Sequence, residues 1–540
     1  MTIESQPASA IARSIPEWLR SGVIYQIYPR SFQDTNGDGV GDLPGIAARL
    51  DHLRGLGVDA VWISPFYPSP MRDFGYDVTD HCAVDPLFGT LGDVDALIAG
   101  AHARGIRVIL DYIPNHTSDL HPWFVEARSG KDSPRRDWYV WRDPAPGGGP
   151  PNNWVSAFGG SVWEWDEASG QYYLHTFLRE QPDLNWRNPA VKEAMFEVMR
   201  FWLDRGVDGL RVDAVQNVIK DEHFRDNPPN PAYRPGDDPF NVLERVYSGD
   251  RPEVHDLIAD MRRLVDGYGG GRVLIGEIYN AVERLMPYYG RDGGGTHFPY
   301  NFQLILLRWN AREIDAAVRR YEALLPAGAW PNWVLGNHDR HRIASRVGRA
   351  QARVAAVLLL TLRGTPTIYY GDEIGMTDVP IPPERERDPW GINLPGLGLG
   401  RDPERTPMQW SGAPHAGFST ADPWLPIAAD YRETNVETQL CDPASMLSLH
   451  RHLIALRRAE PALAVGSYTP VDAEGDVLAY LREHEGRRFL VALNLGPTPA
   501  SLSFGGAGEM LLSTDAERRP EPVRGRVDLR GDEGVIVRID

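Results

Sequence analysis

The sequence predicts an α/β fold, a (β/α)8 TIM barrel with a small domain inserted after its third strand and a C-terminal antiparallel β-sandwich. Three observations carry this expectation. Strand-like and helical segments alternate through most of the 540 residues; roughly 70 residues rich in Trp, Gly and Pro interrupt them once; short strands without intervening helices fill the tail. The expected boundaries are 1–115 and 184–461 for the barrel, 116–183 for an inserted lid and 462–540 for the sandwich.

The expected barrel strands are VIYQIYP (23–29), VDAVWIS (58–64), RVILDYI (107–113), GLRVDAV (209–215), VLIGEIY (273–279), YNFQ (300–303), NWVLGNHD (332–339) and TPTIYYGDE (365–373). The first crossover places Ile46, Leu50, Leu53 and Leu56 on one helical face and stops at Gly57. A second starts at Thr90 and closes at Gly105; a third has Asn188 as cap and Pro189 in its first turn. A structureless insert of the observed length is improbable in a compact domain, so the segment containing DPAPGGGPPNNW (143–154) is expected to fold on its own tryptophans, Trp141, Trp154, Trp163 and Trp165. Beyond the helix SMLSLHRHLIALRRAEPA, the runs VLAYLRE, RRFLVALNL and GVIVRID read as antiparallel strands.

Composition excludes several classes of partner. Hydrophobic residues make up 42% and charged residues 24%, ordinary for a folded domain, and the formal charge of −18 argues against nucleic acid or an anionic membrane. No 18-residue apolar run offers a membrane span. The N-terminal MTIESQPASAIARSIPEW lacks the pattern of an export signal, which makes the cytoplasm the default location. Cys82 and Cys441 stand far apart, so no disulfide framework is expected.

Three acidic residues end hydrophobic runs: Asp213 in GLRVDAV, Glu277 in VLIGEIY and Asp339 in NWVLGNHD. An ionised carboxylate loses its hydration inside a doubly covered strand, whereas at the C-terminal rim it can face a cleft. Two carboxyls flanking a bond can cleave an acetal, one protonating the leaving oxygen and one attacking the cationic carbon. Arg211, two residues before Asp213 on the same strand face, would keep that carboxylate ionised and oriented. Glu277 suits the proton donor and Asp339 a grip on sugar hydroxyls. His116 in DYIPNHTS, His338 beside Asp339 and Tyr76 in DFGYD add donors at strand ends.

With these residues in place, the chain resembles glycoside hydrolase family 13, the α-amylase family, and within it the oligo-1,6-glucosidase and α-glucosidase branch. The segments that carry the resemblance are GVDAVWISP (57–65), DYIPNH (111–116), QPDLN (181–185), GLRVDAV, GEIY, LGNHD and GTPTIYYGDEIGM (364–376). The resemblance implies Asp213 as nucleophile, Glu277 as acid/base and Asp339 as transition-state stabiliser. It also implies sugar-binding roles for Tyr76, His116, Phe177, Arg211 and His338. Asp73 in RDFGYD and Arg401 in GRDPERTPMQW match a pair that closes the pocket beyond one glucose; Arg405, four residues on, is the competing choice. Ala214 stands where α-1,6-preferring relatives usually carry Val, which implies a preference for α-1,4 bonds.

The segment DTNGDGVGD (34–42) reads as a cation loop, with Asp34, Asn36, Asp38, the Val40 carbonyl and Asp42 at alternating oxygen-ligand positions; Gly45 replaces the bidentate Glu of an EF-hand. Similar loops in the branch bind structural Ca2+ or Mg2+, and no organic cofactor is implied. The expected activity is a retaining, exo-acting α-glucosidase with glucosyl transfer to sugar or alcohol acceptors, as a monomer or homodimer. The rivals are trehalose synthase, whose sequences usually carry AEAN where this chain has GEIY, sucrose or oligo-1,6-glucosidase specificity on the same site, and a non-catalytic homologue resembling the heavy chains of amino-acid transporters. Such heavy chains lose the catalytic residues that this chain keeps.

Overall fold

The computed structural model describes residues 15–540; residues 1–14, where most of the stretch expected to lack an export signal falls, lie outside them. Eleven strands precede the C-terminal region. They are β1 (Ile24–Ile27), β2 (Ala60–Ile63), β3 (Arg107–Tyr112), β4 (Trp141–Arg142), β5 (Trp163–Asp166), β6 (Gln171–Leu174), β7 (Gly209–Val212), β8 (Val273–Gly276), β9 (Phe298–Pro299), β10 (Asn332–Val334) and β11 (Thr365–Tyr369). The barrel sheet runs in the order β10-β11-β1-β2-β3-β7-β8-β9, with every paired seam parallel. β1, β2, β7 and β8 are buried at every position, which is why they read as continuous apolar runs rather than alternating ones.

The crossovers form where their caps say they should. Asn188 accepts a hydrogen bond from the Ala190 amide to start the helix Pro189–Asp204, and Thr90 forms a capping box with Asp93. The first crossover breaks at Arg49 into Leu43–Ala48 and Leu50–Leu56, yet Ile46, Leu50, Leu53 and Leu56 are all buried; Gly57 ends it in the left-handed conformation.

The sixth barrel strand differs from expectation. It is β9, two residues long, and the expected YNFQ lies just past it, with Gln303 opening the short helix Gln303–Leu306. Pro299 offers no N–H, the Tyr300 amide makes one further bond to the Gly276 carbonyl at 2.8 Å, and the chain then leaves the sheet for that helix. Tyr300 and Phe302 serve instead as aromatic wall, Tyr300 tilted on Trp62 at 5.3 Å between centroids.

The insert after β3 contains the helix Pro122–Arg128 and a three-stranded antiparallel sheet in the order β4-β6-β5. Trp154 and Trp163 pack with Val140, Val162 and Leu174 as its core, Trp141 is buried as well, and Trp165 is exposed. After the helix Met446–Ala459 come β12 (Ser467–Val471), β13 (Val477–His484), β14 (Arg487–Asn494), β15 (Ala500–Ser513), β16 (Glu521–Leu529) and β17 (Gly534–Ile539), all antiparallel. β13 shows how they pack: Leu478 and Tyr480 face the barrel, while Val477 and Ala479 face a second core with Leu490 and Val535. Among the described residues, no helix is long and apolar enough to cross a membrane.

Candidate active site

Parallel strands deliver side chains of unlike charge to one rim. Asp213 directly follows β7 and Glu277 directly follows β8, each tied to the neighbouring strand by its own amide: Asp213 N–H donates to the Tyr112 carbonyl at 2.8 Å, Glu277 N–H to the Val212 carbonyl at 2.9 Å. Asp339 lies in the loop after β10. With Asp73, Tyr76, His116, Phe177, Ala214, His338 and Arg401 these residues line one cavity of about 580 Å3, within the range of small-ligand pockets. Arg211 lies beneath its floor.

Arg211 organises that floor. It sits in register with Asp111 across the β3–β7 seam, and its Nη1 donates to Asp111 Oδ1 at 2.6 Å and to Asp213 Oδ1 at 2.7 Å. Its Nη2 lies 2.6 Å from Glu277 Oε1. One guanidinium therefore faces three carboxyls, which would leave a net charge of about −2 in a closed site were all three ionised. A proton retained on Asp213 or Glu277 relieves that excess, and both groups are shifted in the direction that retains one. Burial pushes Asp213 well up from the carboxylate range, with Glu277 adding and Arg211 opposing. Burial raises Glu277 too, against Arg211 and with Asp339 adding. Asp111 is pushed up to about 6, chiefly by burial against Arg211.

Ala214 turns the chain away from the floor at once. Its φ of 42° and ψ of 36° are left-handed, a conformation that costs a residue with a Cβ about 1–3 kcal/mol and is held where its surroundings demand it. The turn aims the Ala214 N–H at Glu277 Oε2, 2.9 Å away.

Asp339 has the opposite electrostatics. Burial alone would raise it, but His338, Arg401 and Arg405 hold it well below the carboxylate range. Arg401 Nη1 lies 3.1 Å and Arg405 Nη2 2.9 Å from the same Asp339 oxygen. Asp339 is thus the fixed anion of the site, while burial favours the protonated forms of Asp213 and Glu277.

His338 and His116 are neutral. Burial pushes His338 down to about 3 and His116 to about 4. Gln26 donates to His338 Nδ1 at 2.7 Å, which places the ring proton on Nε2, 2.7 Å from the Tyr76 hydroxyl; that hydroxyl donates to Asp111 at 3.2 Å. The Tyr76 and His338 rings lie parallel within 2°. Gln181 lies within 3.2 Å of both Asp73 and His116, and Phe177 packs on His116 at 5.2 Å.

Between the two candidate arginines, the structure selects Arg401 as the partner of Asp73. Its Nη2 is 2.7 Å from Asp73 Oδ1, and the same nitrogen is 2.6 Å from Asp388. Arg405 instead serves Asp339 and the His338 carbonyl. Sequence reasoning missed Asp388, which is fully buried and sits in no motif, and it missed the support that Asp111 gives Arg211, although Asp111 lies in the quoted DYIPNH. It also missed the outer wall. Tyr279 stacks on Phe302 at 4.1 Å, and Arg340 covers Tyr279 and Trp390. Tyr279 inside GEIY and Arg340 directly after NHD were signals in plain view.

In the Asp34–Asp42 loop, Asp34 accepts the amides of Asn36, Gly37 and Gly39, and Asp42 caps the helix Leu43–Ala48 through the Gly45 amide. Asn36 and Asp38 are exposed, and Asn36 Nδ2 donates to Asp38 at 3.0 Å. The donor set is oxygen only, the chemistry of a hard cation.

This rim of buried carboxyls on a parallel barrel is the arrangement of a sugar-cleaving enzyme, and comparison with known proteins agrees. The family model "Alpha amylase, catalytic domain" matches residues 26–466, and the chain belongs to the α-amylase family of glycoside hydrolases. A probable α-glucosidase of Rhizobium meliloti is 44% identical over 512 residues, covering 92% of this chain and 93% of the relative. An oligo-1,6-glucosidase of Heyndrickxia coagulans is 40% identical, covering 90% and 93%. Among solved structures, the α-glucosyl transfer enzyme XgtA superposes with a TM-score of 0.92 at 43% identity, covering 97% of this chain and 99% of that one. The trehalulose synthase MutB of Pseudomonas mesoacidophila gives 0.88 at 36%, covering 97% and 100%.

Proposed function

We propose that the chain is a retaining, exo-acting α-glucosidase that removes the non-reducing-end glucose of short α-glucosides and passes part of it to sugar or alcohol acceptors. The observation that carries this reading is the Arg401 guanidinium spanning Asp73, Asp339 and Asp388 in the pocket that holds Asp213 and Glu277. A bidentate cation tied to two acids across the cavity leaves room for a terminal sugar and bars a chain from running through.

In this reading Asp213 attacks the anomeric carbon and forms a β-glucosyl-enzyme while Glu277 gives its proton to the leaving oxygen. Glu277 then takes a proton from water or an acceptor hydroxyl, which releases an α-product. Asp339, ionised, grips hydroxyls of the distorted ring, and Arg211 orients both reacting carboxyls. Names among the relatives support the α-glucosidic substrate, and the neighbour described as an α-glucosyl transfer enzyme supports transfer. The aromatic wall of Tyr279, Phe302 and Trp390 supports an acceptor site of sugar or small-alcohol size.

We assign the Asp34–Asp42 loop to a structural Ca2+ or Mg2+, held by Asp34, Asn36, Asp38, the Val40 carbonyl and Asp42; when bound, such an ion supplies charge that fixes the loop. Product analysis on maltose, amylose and sucrose tests the whole reading. Glucose from maltose with slow, end-wise attack on amylose supports it; a rapid viscosity drop in amylose contradicts it, and conversion of sucrose mainly to an isomeric disaccharide would favour the trehalulose-synthase activity of the MutB neighbour.

A further inference from the structure

We infer that His341, Asp378 and Glu404 form a metal site of the zinc class, separate from the glucoside pocket and from the oxygen-ligand loop. Their ligand atoms all lie within 4.8 Å of one another. His341 Nδ1 is 2.9 Å from Asp378 Oδ2 and 3.8 Å from Glu404 Oε2. An ion bound at about 2.0–2.2 Å sets tetrahedral ligand edges of roughly 3.3–3.6 Å, so the two edges at His341 lie within an ångström of those an ion requires. One imidazole and two carboxylates, with a fourth place for water, suit Zn2+ better than Ca2+, which takes six or more oxygens.

Glu404 supplies the second, independent observation. Its side chain is 2% exposed, and Oε2, the oxygen nearest His341, makes no hydrogen bond. A buried carboxylate oxygen without a donor calls for an explanation, and a cation at this point provides one. The neighbouring arginine does not: Arg405 makes its hydrogen bonds to Asp339 and the His338 carbonyl. The frame around the site is already set. Tyr369 holds the Glu404 carbonyl at 3.0 Å, the Arg342 amide holds the second oxygen of Asp378 at 2.9 Å, and Ser345 holds the Asp378 amide at 2.7 Å. The His341 side chain is 53% exposed and gives the ion a path from solvent.

The placement gives the site a consequence. His341 lies two residues after Asp339, and Glu404 lies between Arg401 and Arg405, the two arginines that grip Asp339. An ion joining them would staple the Asp339 loop to the segment that closes the pocket, so occupancy would stiffen the sugar-binding end without touching substrate.

Calorimetric titration with ZnCl2 in calcium-saturated buffer tests this, with thermal unfolding as a second readout. The expected result is one saturable zinc site and a Tm that rises with zinc, as ligand linkage requires. His341→Ala and Glu404→Gln are each expected to weaken binding at least about tenfold. His341 is half exposed, so His341→Ala is expected to fold with unchanged Tm in the absence of zinc; His341→Gln repeats the test should it not. Absence of saturable binding, or unchanged affinity in both variants, overturns the site, and zinc binding that appears only when calcium is left out of the buffer, or an equal response to added magnesium, overturns its zinc-class assignment.

Discussion

Arg401 Nη2 stands 2.7 Å from Asp73 Oδ1, and its Nη1 stands 3.1 Å from Asp339. One guanidinium thus joins the residue that would limit the pocket to the residue that would hold the ring. Removing it leaves two buried acids, Asp73 and Asp388, and the partly buried Asp339 with one cation fewer.

Arg401→Ala and Asp73→Ala are accordingly expected to raise KM and lower kcat together on maltose, by about 100-fold or more in kcat/KM. Because the two residues act as a unit, the double variant is expected to lose little more than either single one. Steady-state kinetics on all three proteins checks this; additive losses would show that the pair is not coupled.

Linkage preference is expected to follow Ala214. Its φ of 42° is tolerable for Ala and costly for a β-branched residue. A Val there would also crowd the space beside Asp213 that an α-1,4-linked leaving sugar occupies. The expected result is maltose over isomaltose by about 10- to 200-fold in kcat/KM, with the margin reduced in Ala214→Val, which is also expected to lose about 1–3 kcal/mol of stability. Comparable rates on both disaccharides in the wild type would refute the preference.

The sequence carried more of the chemistry than of the wall. Asp213, Glu277 and Asp339 were legible because each ends an apolar run, and a carboxylate there has to face a cleft. Seven of the eight barrel strands were legible for the related reason that buried parallel strands are continuous apolar runs. The sixth was misplaced because its regular ladder is only two residues long and soon gives way to the helix at Gln303, while the aromatic pattern between them imitates a strand. Asp388 and the Asp111 support were not legible, since a buried acid reveals its partner only when distant loops meet. Asp388 reaches Arg401 across 13 residues, and Asp111 reaches Arg211 across 100.

The pH profile is expected to be a bell belonging to the Asp213–Glu277 pair. The acid limb is loss of the ionised nucleophile as pH falls, and because burial raises Asp213 well above the carboxylate range this limb lies above the ordinary Asp range. Glu277 acts protonated and its pKa is raised, so activity persists above the ordinary Glu range and falls as pH rises through the raised value. Asp339, held low, stays ionised throughout and contributes no limb. Glu277→Gln, assayed with a substrate whose leaving group needs no proton, is expected to lose the alkaline limb; its persistence would remove Glu277 from the role of acid.

Removal of divalent ions is expected to act on stability before chemistry. The Asp34–Asp42 loop anchors the 418–424 segment through Ser419 Oγ on Asp34 and the Trp424 amide on the Gly39 carbonyl. A cation at 100 times its Kd adds about 2.7 kcal/mol. At roughly 1 °C per kcal/mol for a chain of 540 residues, chelation is expected to lower Tm by about 2–3 °C, restored by Ca2+ or Mg2+. An unchanged Tm after chelation would mean that the loop holds no ion.

The most direct test of the account is the anomeric form of the glucose first released from p-nitrophenyl α-glucoside, followed by proton NMR before mutarotation. A covalent β-glucosyl-enzyme on Asp213, opened by water under Glu277 catalysis on the face opposite Asp213, requires α-glucose first. Asp213→Asn is then expected to lose at least about 1,000-fold in kcat, since the covalent step disappears. Initial release of β-glucose would contradict the double displacement and with it the assigned roles of both carboxyls.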